Sequence, residues 1–399
     1  MRKEEQLRLL KGLINHLDAK TNVDAGGIIR TPAETYTSSE RFEREWDTFF
    51  LNHPQIIGMS GDLPKPDTFM TTEDFGVPVL ATRNSSGEFK AYANVCSHRG
   101  VIVEDVKRGE KSKFSCPFHG WTYNNEGALI GYPKSDQFGK IDKDCYGLKE
   151  LPALEKFGFL WVHPSQDGKI ELDDLLGKDL MEEFSSWNFQ DLTFANEEEY
   201  QTEMNWKLAI DTFGETYHFS VLHKDSLFQS FHGNCQMFDS FNRNGRLILC
   251  KRTIDEMRKL PESDWDICSG SLPVYYLFPN IIFLPTPEGA FLVKEYPAEN
   301  SPHKSFSKIS FYFYPHVLEH IEELEKTGIN GKELLEEQYG GFASVIRDED
   351  YVVAASSHRG LRTGTLDYLT FGKNEPALHH YHNTYRQALG LQSLPLEEA

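Results

Sequence analysis

Apolar positions near the start of the chain recur at helical spacing. Leu10, Leu13, Ile14 and Leu17 fall at i, i+3, i+4 and i+7, which predicts a helix over 3–18. A second helix is expected from Thr37, with Glu40 completing a capping box and Phe42, Trp46, Phe49 and Phe50 on its buried face. From about residue 53 the rhythm shifts to short β-like runs broken by Gly, Pro, Asn and Asp, such as 77–81, 89–93 and 158–162. This all-β block ends near residue 165. Beyond it the pattern is mixed. Residues 195–203 read as extended and 205–218 as helical. Three antiparallel strands are expected at Val274 to Leu284, Ala290 to Tyr296 and Ser305 to Tyr314. Helices are expected over 316–327, 332–358 and 376–389. The fold class is therefore α+β, in segments 1–52, 53–165 and 166–399, with no internal repeat and no low-complexity tract.

A chain of 399 residues suits two domains. The formal charge of −20 argues against nucleic-acid or anionic-membrane partners, which need a basic face. One local basic run, Lys107, Arg108, Lys111 and Lys113, offers a docking patch for an acidic donor protein; a solvated loop is the plainer reading. Among the six cysteines, Cys145, Cys235, Cys250 and Cys268 have no paired spacing and read as free thiols of a reducing compartment. With an amphipathic rather than apolar start and no long apolar stretch, the expectation is a soluble cytoplasmic protein.

Chemistry concentrates first in Cys96-Ser97-His98 and Cys116-Pro117-Phe118-His119. A structural zinc site also takes two Cys and two His, but its fingers pair like with like along the chain. Here each knuckle carries one of each. That suits a Rieske [2Fe–2S] cluster, in which two thiolates hold one iron and two imidazoles the other. Arg99-Gly100 and Gly120-Trp121 follow the knuckles, and glycines let backbone N–H groups approach cluster sulfurs.

A second set lies in residues 205–223. His218 and His223 are five apart, about 140° on a continuous helix, so a shared metal requires the helix to end or unwind between them. Phe219-Ser220-Val221 permits that. Glu215, three residues before His218, is placed to accept a hydrogen bond from the far nitrogen of a metal-bound imidazole. Two histidines and one carboxylate leave positions open on Fe(II). For the carboxylate, Asp350 shares a helical stripe with Ile346, Val353, Ala354 and Ser357 and can face the core, where an unpaired acid is costly unless it binds metal. Asp348 and Glu349 are expected on the solvated face.

These segments resemble the ring-hydroxylating Rieske non-haem iron oxygenases, in their large (alpha) subunit. The likeness runs through Asn94 to Gly100, Cys116 to Trp121, Asn205-Trp206-Lys207 with the Glu215-x-x-His218-x₄-His223 pattern, Glu349-Asp350 before His358-Arg359-Gly360, and Phe371 to Pro376. It implies a β Rieske domain (53–165) and a helix-grip, START-like catalytic domain (166–399), with helices of 1–52 packed on the latter. It implies Cys96, His98, Cys116 and His119 as cluster ligands and His218, His223 and Asp350 as mononuclear Fe(II) ligands. Glu215 would bridge the two centres across a head-to-tail homotrimer, meeting His119 or His98 of the next copy, with His119 favoured by the family's motif order. His358 stands where the family often has Gln, which raises a minor role for it at substrate or iron.

The implied activity is O₂-dependent hydroxylation of an organic substrate, an aromatic ring foremost. Oxidative demethylation or hydroxylation of a methylated or quaternary amine is the alternative, for which Phe213, Phe219, Phe278 and Phe283 would equally serve. A Rieske electron carrier is the non-enzyme alternative. The chain shows no Gly-rich dinucleotide fingerprint, so electrons are expected from a separate NAD(P)H-dependent flavin reductase, with or without a ferredoxin, and with or without a small beta subunit.

Overall fold

The computed structural model describes residues 1–398. Its largest sheet has seven strands: β1 (Thr193–Thr202), β2 (Phe231–Phe241), β3 (Asn244–Lys251), β4 (Ser271–Leu277), β5 (Ile281–Pro285), β6 (Gly289–Ala298) and β7 (Ser301–Phe313). Their order is β1-β7-β6-β5-β4-β3-β2. From β2 to β7 each strand pairs antiparallel with its sequence neighbour, and β1 lies beside β7. The three strands expected between 274 and 314 are thus four. The first is cut at Phe278-Pro279-Asn280, where proline has no N–H for a ladder. Strands β2 and β3 were not foreseen. The pairing of β2 is interrupted between Phe231 and Gln236, and that irregularity blurs its alternation.

Strands β4 and β5 are buried along their whole length, so they read as continuous apolar runs rather than alternation. What covers this sheet comes from distant sequence. The N-terminal helix, Lys3–Ala19, buries Leu9, Leu10 and Leu13 in one cluster with Ile248, Cys250, Ile254 and Met257. Each such side chain contributes roughly 1.5–3 kcal/mol by leaving water. Helix Gly331–Val345 sets Tyr339 and Phe342 against Phe291 of β6, ring centroids 5.2 and 4.5 Å apart. Helix Pro376–Ala388 lays Tyr381 on Tyr276 of β4 at 4.1 Å.

The second helix starts one residue later than expected. Ser38, not Thr37, accepts the Arg41 N–H through its hydroxyl (3.2 Å), and the helix Ser39–Glu45 widens into a π turn, Trp46–Leu51. The Thr37 hydroxyl donates backwards to the Ala33 carbonyl instead.

The chain divides into two compact units. One holds Met1–Glu45, Leu172–Trp187 and the chain from Ala195 onward. The other holds Trp46–Glu171 and Asn188–Phe194. This second unit is built on antiparallel sheets. Five strands run in the order Glu150–Leu151, Phe89–Ala93, Val79–Arg83, Thr68–Thr72, Arg108–Glu110. Two sheets of three strands accompany them, one of which, Lys113–Ser115 with Thr122–Asn124 and Leu129–Gly131, frames the second Cys/His knuckle.

Candidate metal centres

The two Cys/His knuckles have the same backbone. The Cys96 N–H donates to the Val101 carbonyl (2.8 Å) and the Gly100 N–H to the Cys96 carbonyl (2.9 Å). In the other loop Cys116 N–H donates to Trp121 (2.8 Å) and Gly120 N–H to Cys116 (3.0 Å). Gly100 and Gly120 close these turns at φ of +75° and +72°, a conformation that side chains resist. The histidine occupies the second position after cysteine in one loop and the third in the other.

Cys96 and Cys116 are buried together in the unit's core. Burial and a hydrogen bond shared with Cys96 push the Cys116 thiol up, while the N–H groups of Phe118 and His119 point at its sulfur. The His98 and His119 rings stand 4.7 Å apart, and His98 stacks on Trp121 at 4.9 Å and 6°. Neither imidazole makes a hydrogen bond among the described residues. Two buried soft thiols beside two uncommitted imidazoles fit the two irons of a Rieske cluster. Tyr123, which the sequence reading passed over, sets its hydroxyl 3.3 Å from the Cys96 sulfur and accepts the Ser97 N–H at 3.0 Å. Its position one strand beyond Gly120-Trp121 carried the signal, but only pairing shows that it turns back on Cys96.

The second centre is assembled from two turns and a π-helical segment. Asn205 caps the short helix Trp206–Asp211, its side chain accepting the Lys207 N–H. The helix expected to reach 218 stops at Asp211. Gly214 then passes so close to Leu378 that a β-carbon there would lie 2.3 Å from it. A 3₁₀ turn, Tyr217–Ser220, carries His218. Glu215 is therefore not a helix-face residue. One of its oxygens accepts the N–H groups of Tyr217 and His218, and the other faces His218 Nδ1. The carboxylate caps the turn and fixes the imidazole at once.

His223 is held by Glu349, whose Oε2 lies 2.8 Å from His223 Nδ1 and accepts the Ser226 hydroxyl at 2.9 Å. This corrects the expectation that Glu349 faces solvent; Asp348 does face it, paired with Arg347. The π turn Ile346–Asp350 accounts for the difference. Its wider winding brings two successive acids to the same site, which a 3.6-residue stripe cannot do. The stripe itself holds for buried Ile346, Asp350 and Ala354 but not for Val353 and Ser357, which are exposed.

With Nδ1 of each histidine turned to a carboxylate, both Nε2 atoms face the same point, 3.1 Å apart. Asp350 Oδ1 lies 3.5 Å from His218 Nε2 and 3.2 Å from His223 Nε2. Ligand atoms about 2.1 Å from one ion, at right angles, stand about 3.0 Å apart. Three converging lone-pair donors fit a divalent cation, and this is the one trio of such groups among the described residues. Burial opposes charge on His218, yet Asp350 and Glu215 outweigh it and push its imidazole up to about 9. Burial likewise works against charge on His223, but Asp350 and Glu349 raise it. Asp350, although buried, is held below the usual carboxylate range by the two histidines.

A mainly apolar cavity opens on the trio. Phe213, Phe219, Leu227, Phe231, Leu249, Leu272, Val274, Leu284, Phe342 and Ile346 line it. Among the described residues its only ionisable groups are Glu215, His218, His223 and Asp350. Phe278 and Phe283, also expected near the site, are not part of this lining; they pack on Tyr385 and Tyr275. His358 is not there either. It is buried, with Nε2 3.1 Å from His303 Nδ1, and is not among the residues that line the cavity. In the basic run, Arg108 pairs with Asp62 and Lys111 with Glu104, which spends much of the proposed patch.

Family models match two regions of the chain. Residues 53–152 match the Rieske [2Fe-2S] domain, and residues 189–391 match the ring hydroxylating alpha subunit (catalytic domain). The toluate 1,2-dioxygenase alpha subunit of Pseudomonas putida is 29% identical over 53% of this chain and 48% of its own length. The match thus spans about half of that relative. The carnitine monooxygenase oxygenase subunit of Acinetobacter baumannii is 24% identical over 83% of this chain and 85% of its own. Among solved structures, a quaternary ammonium Rieske monooxygenase with L-carnitine superimposes with a TM-score of 0.72 at 19% identity, covering 90% of this chain and 96% of that one. A naphthalene 1,2-dioxygenase variant with phenanthrene gives 0.69 at 18%, covering 92% and 93%.

Proposed function

The chain belongs to the ring-hydroxylating alpha subunits of Rieske oxygenases, and from that premise we propose that it is the oxygenase component acting on an uncharged, mainly apolar molecule, an aromatic ring foremost. The carrying observation is the cavity beside His218, His223 and Asp350, whose walls are Phe, Leu, Val and Ile. Among the described residues that line it, no carboxylate, guanidinium or ammonium group is left over to bind a charged substrate. When bound, the cluster supplies single electrons and the mononuclear iron supplies O₂ binding and activation. The chain's own residues do the rest. Glu215 and Glu349 hold the imidazole Nδ1 atoms, Asp350 brings the negative charge, and the phenylalanines exclude water and offer flat faces to a ring.

A second reading has its own support. The carnitine-acting relative covers more of the chain than the toluate one, and four phenylalanines line the cavity, which suits a quaternary ammonium through cation–π contact. A substrate screen decides between them. O₂ uptake is measured with an NADH-dependent flavin reductase supplied, against neutral arenes, aromatic acids and methylated amines. Stimulation by neutral arenes is expected; stimulation confined to quaternary amines would replace the first reading with the second.

For the electron path we infer a contact between copies. Phe118, beside exposed His119, is 51% exposed, and Tyr217 and Val221, flanking His218, are 65% and 82% exposed. Such large apolar side chains at both centres suit a head-to-tail trimer in which His119 of one copy donates to Glu215 of the next. Glu215→Gln should retain all iron and lower turnover roughly 10–100-fold. Unchanged turnover would remove Glu215 from the path.

A further inference from the structure

Directly after Asp350 the chain enters the helix Tyr351–Leu361, and the Tyr351 side chain is buried. Its hydroxyl lies 2.5 Å from Glu295 Oε1 on β6. Ser307, directly opposite Glu295 on β7, places Oγ 2.6 Å from the same oxygen and 2.7 Å from the Tyr351 hydroxyl. Three oxygens therefore form a closed triangle.

The triangle constrains its protons. It has three short contacts, and the two hydroxyls supply only two hydrogens. A charged Glu295 would accept both of them and leave the Ser307 and Tyr351 oxygens facing one another with no proton between. A third proton, carried by Glu295, lets each member donate once and accept once. The surroundings agree. Glu295 is fully buried, the only close polar partners of its carboxyl among the described residues are these two hydroxyls, and burial pushes its carboxyl up to about 8. A cation would otherwise be required to hold a carboxylate there.

What this ring anchors is the adjoining turn. The π winding of Ile346–Asp350 aims both Glu349 and Asp350 at the histidines. Such windings are rare and, as single turns inside helices, are frequent at functional sites. Tyr351 is the first residue past the turn, and its hydroxyl ties it to two strands of the sheet.

We propose that Glu295, as a neutral acid, and Ser307 are positioning residues that act through the Tyr351 hydroxyl to fix the rotation of the turn carrying Asp350, and thereby set the affinity and geometry of the mononuclear metal site. The proposal rests on the reading of Asp350 as a metal ligand. It is tested by Co(II) binding to cluster-loaded protein stripped of mononuclear iron, followed by dialysis and by the visible bands of Co(II), with cluster absorption and thermal midpoint as controls for folding.

Tyr351→Phe should weaken Co(II) retention about tenfold and shift its bands, and Ser307→Ala should act in the same direction. Glu295→Ala should match Tyr351→Phe. Glu295→Gln, which keeps a neutral donor and acceptor, should stay within about twofold of the parent. Parental affinity and bands in both Tyr351→Phe and Ser307→Ala, while Asp350→Ala abolishes binding, would overturn the positioning role alone. Parental binding by Asp350→Ala would instead overturn the ligand assignment beneath it. Glu295→Gln as damaging as Glu295→Ala would show that the acid works as an anion and would overturn the neutral ring.

Discussion

At the cluster knuckles the four candidate ligands lie between residues 96 and 119, on two turns with one shared backbone pattern. At the other centre the candidate ligands span residues 218 to 350 and come from a 3₁₀ turn, the loop after it and a π turn. In the first, local chain geometry does the aiming, and the imidazoles make no hydrogen bonds of their own. In the second, carboxylates do it: Glu215 holds His218 and Glu349 holds His223. A site built locally tolerates change elsewhere in its unit. A site built from distant segments depends on every strut between them.

The contrast can be broken or sharpened by substitution. The largest effect is expected from Asp350→Ala, which leaves two imidazoles without their anion. Iron analysis should fall from three to two per chain, turnover should drop by about a thousandfold or more, and cluster absorption should persist. Bleaching of the cluster in that variant would show that the centres are not independent. Next, Glu349→Gln should weaken mononuclear metal about tenfold with Glu215 intact, measured by competitive chelation. No change would mean that backbone geometry suffices for His223, as it does in the knuckles.

Smaller still is the effect of Tyr123→Phe. It removes one hydroxyl near the Cys96 sulfur, and a hydrogen bond of ~1 kcal/mol corresponds to about 40 mV for one electron. The cluster midpoint should fall by that amount, with iron content unchanged, in a redox titration. A last one concerns pH. The folded chain holds a proton on Glu295 that the unfolded chain has released between about pH 4.5 and 8. Stability then declines as pH rises through that window. Glu295→Gln lacks this slope, so the parent's thermal midpoint should drop relative to it by about 2–4 °C per kcal/mol lost between pH 5 and 8. Parallel curves would argue against a proton on Glu295.

The same contrast explains what could be read from the sequence. Cys96, His98, Cys116 and His119 were legible because a loop of five residues carries its own geometry, glycine included. His218, His223 and Asp350 were legible as chemistry, and the structure does bring them together. Their supports were not. Glu349 was misplaced because periodicity assumes an α-helix, and the π turn at 346–350 departs from it. Glu295 and Ser307 look like ordinary strand residues until cross-strand register sets them under Tyr351. Strands β2 and β3 were missed where the pairing irregularity between Phe231 and Gln236 breaks the alternation. The N-terminal and C-terminal helices, by contrast, have apolar stripes that survive any context.

Part of the cavity wall comes from a different kind of structure than the candidate metal residues. Leu249, Leu272, Val274 and Leu284 project from three consecutive strands of the meander, β3 to β5, whereas His218, His223 and Asp350 stand on turns outside the sheet. Selection can therefore rewrite the menu of accepted molecules one strand position at a time while the candidate metal residues stay untouched. A scaffold divided in this way is suited to diversify by drift, and it makes β3 to β5 the natural place for an engineer to begin.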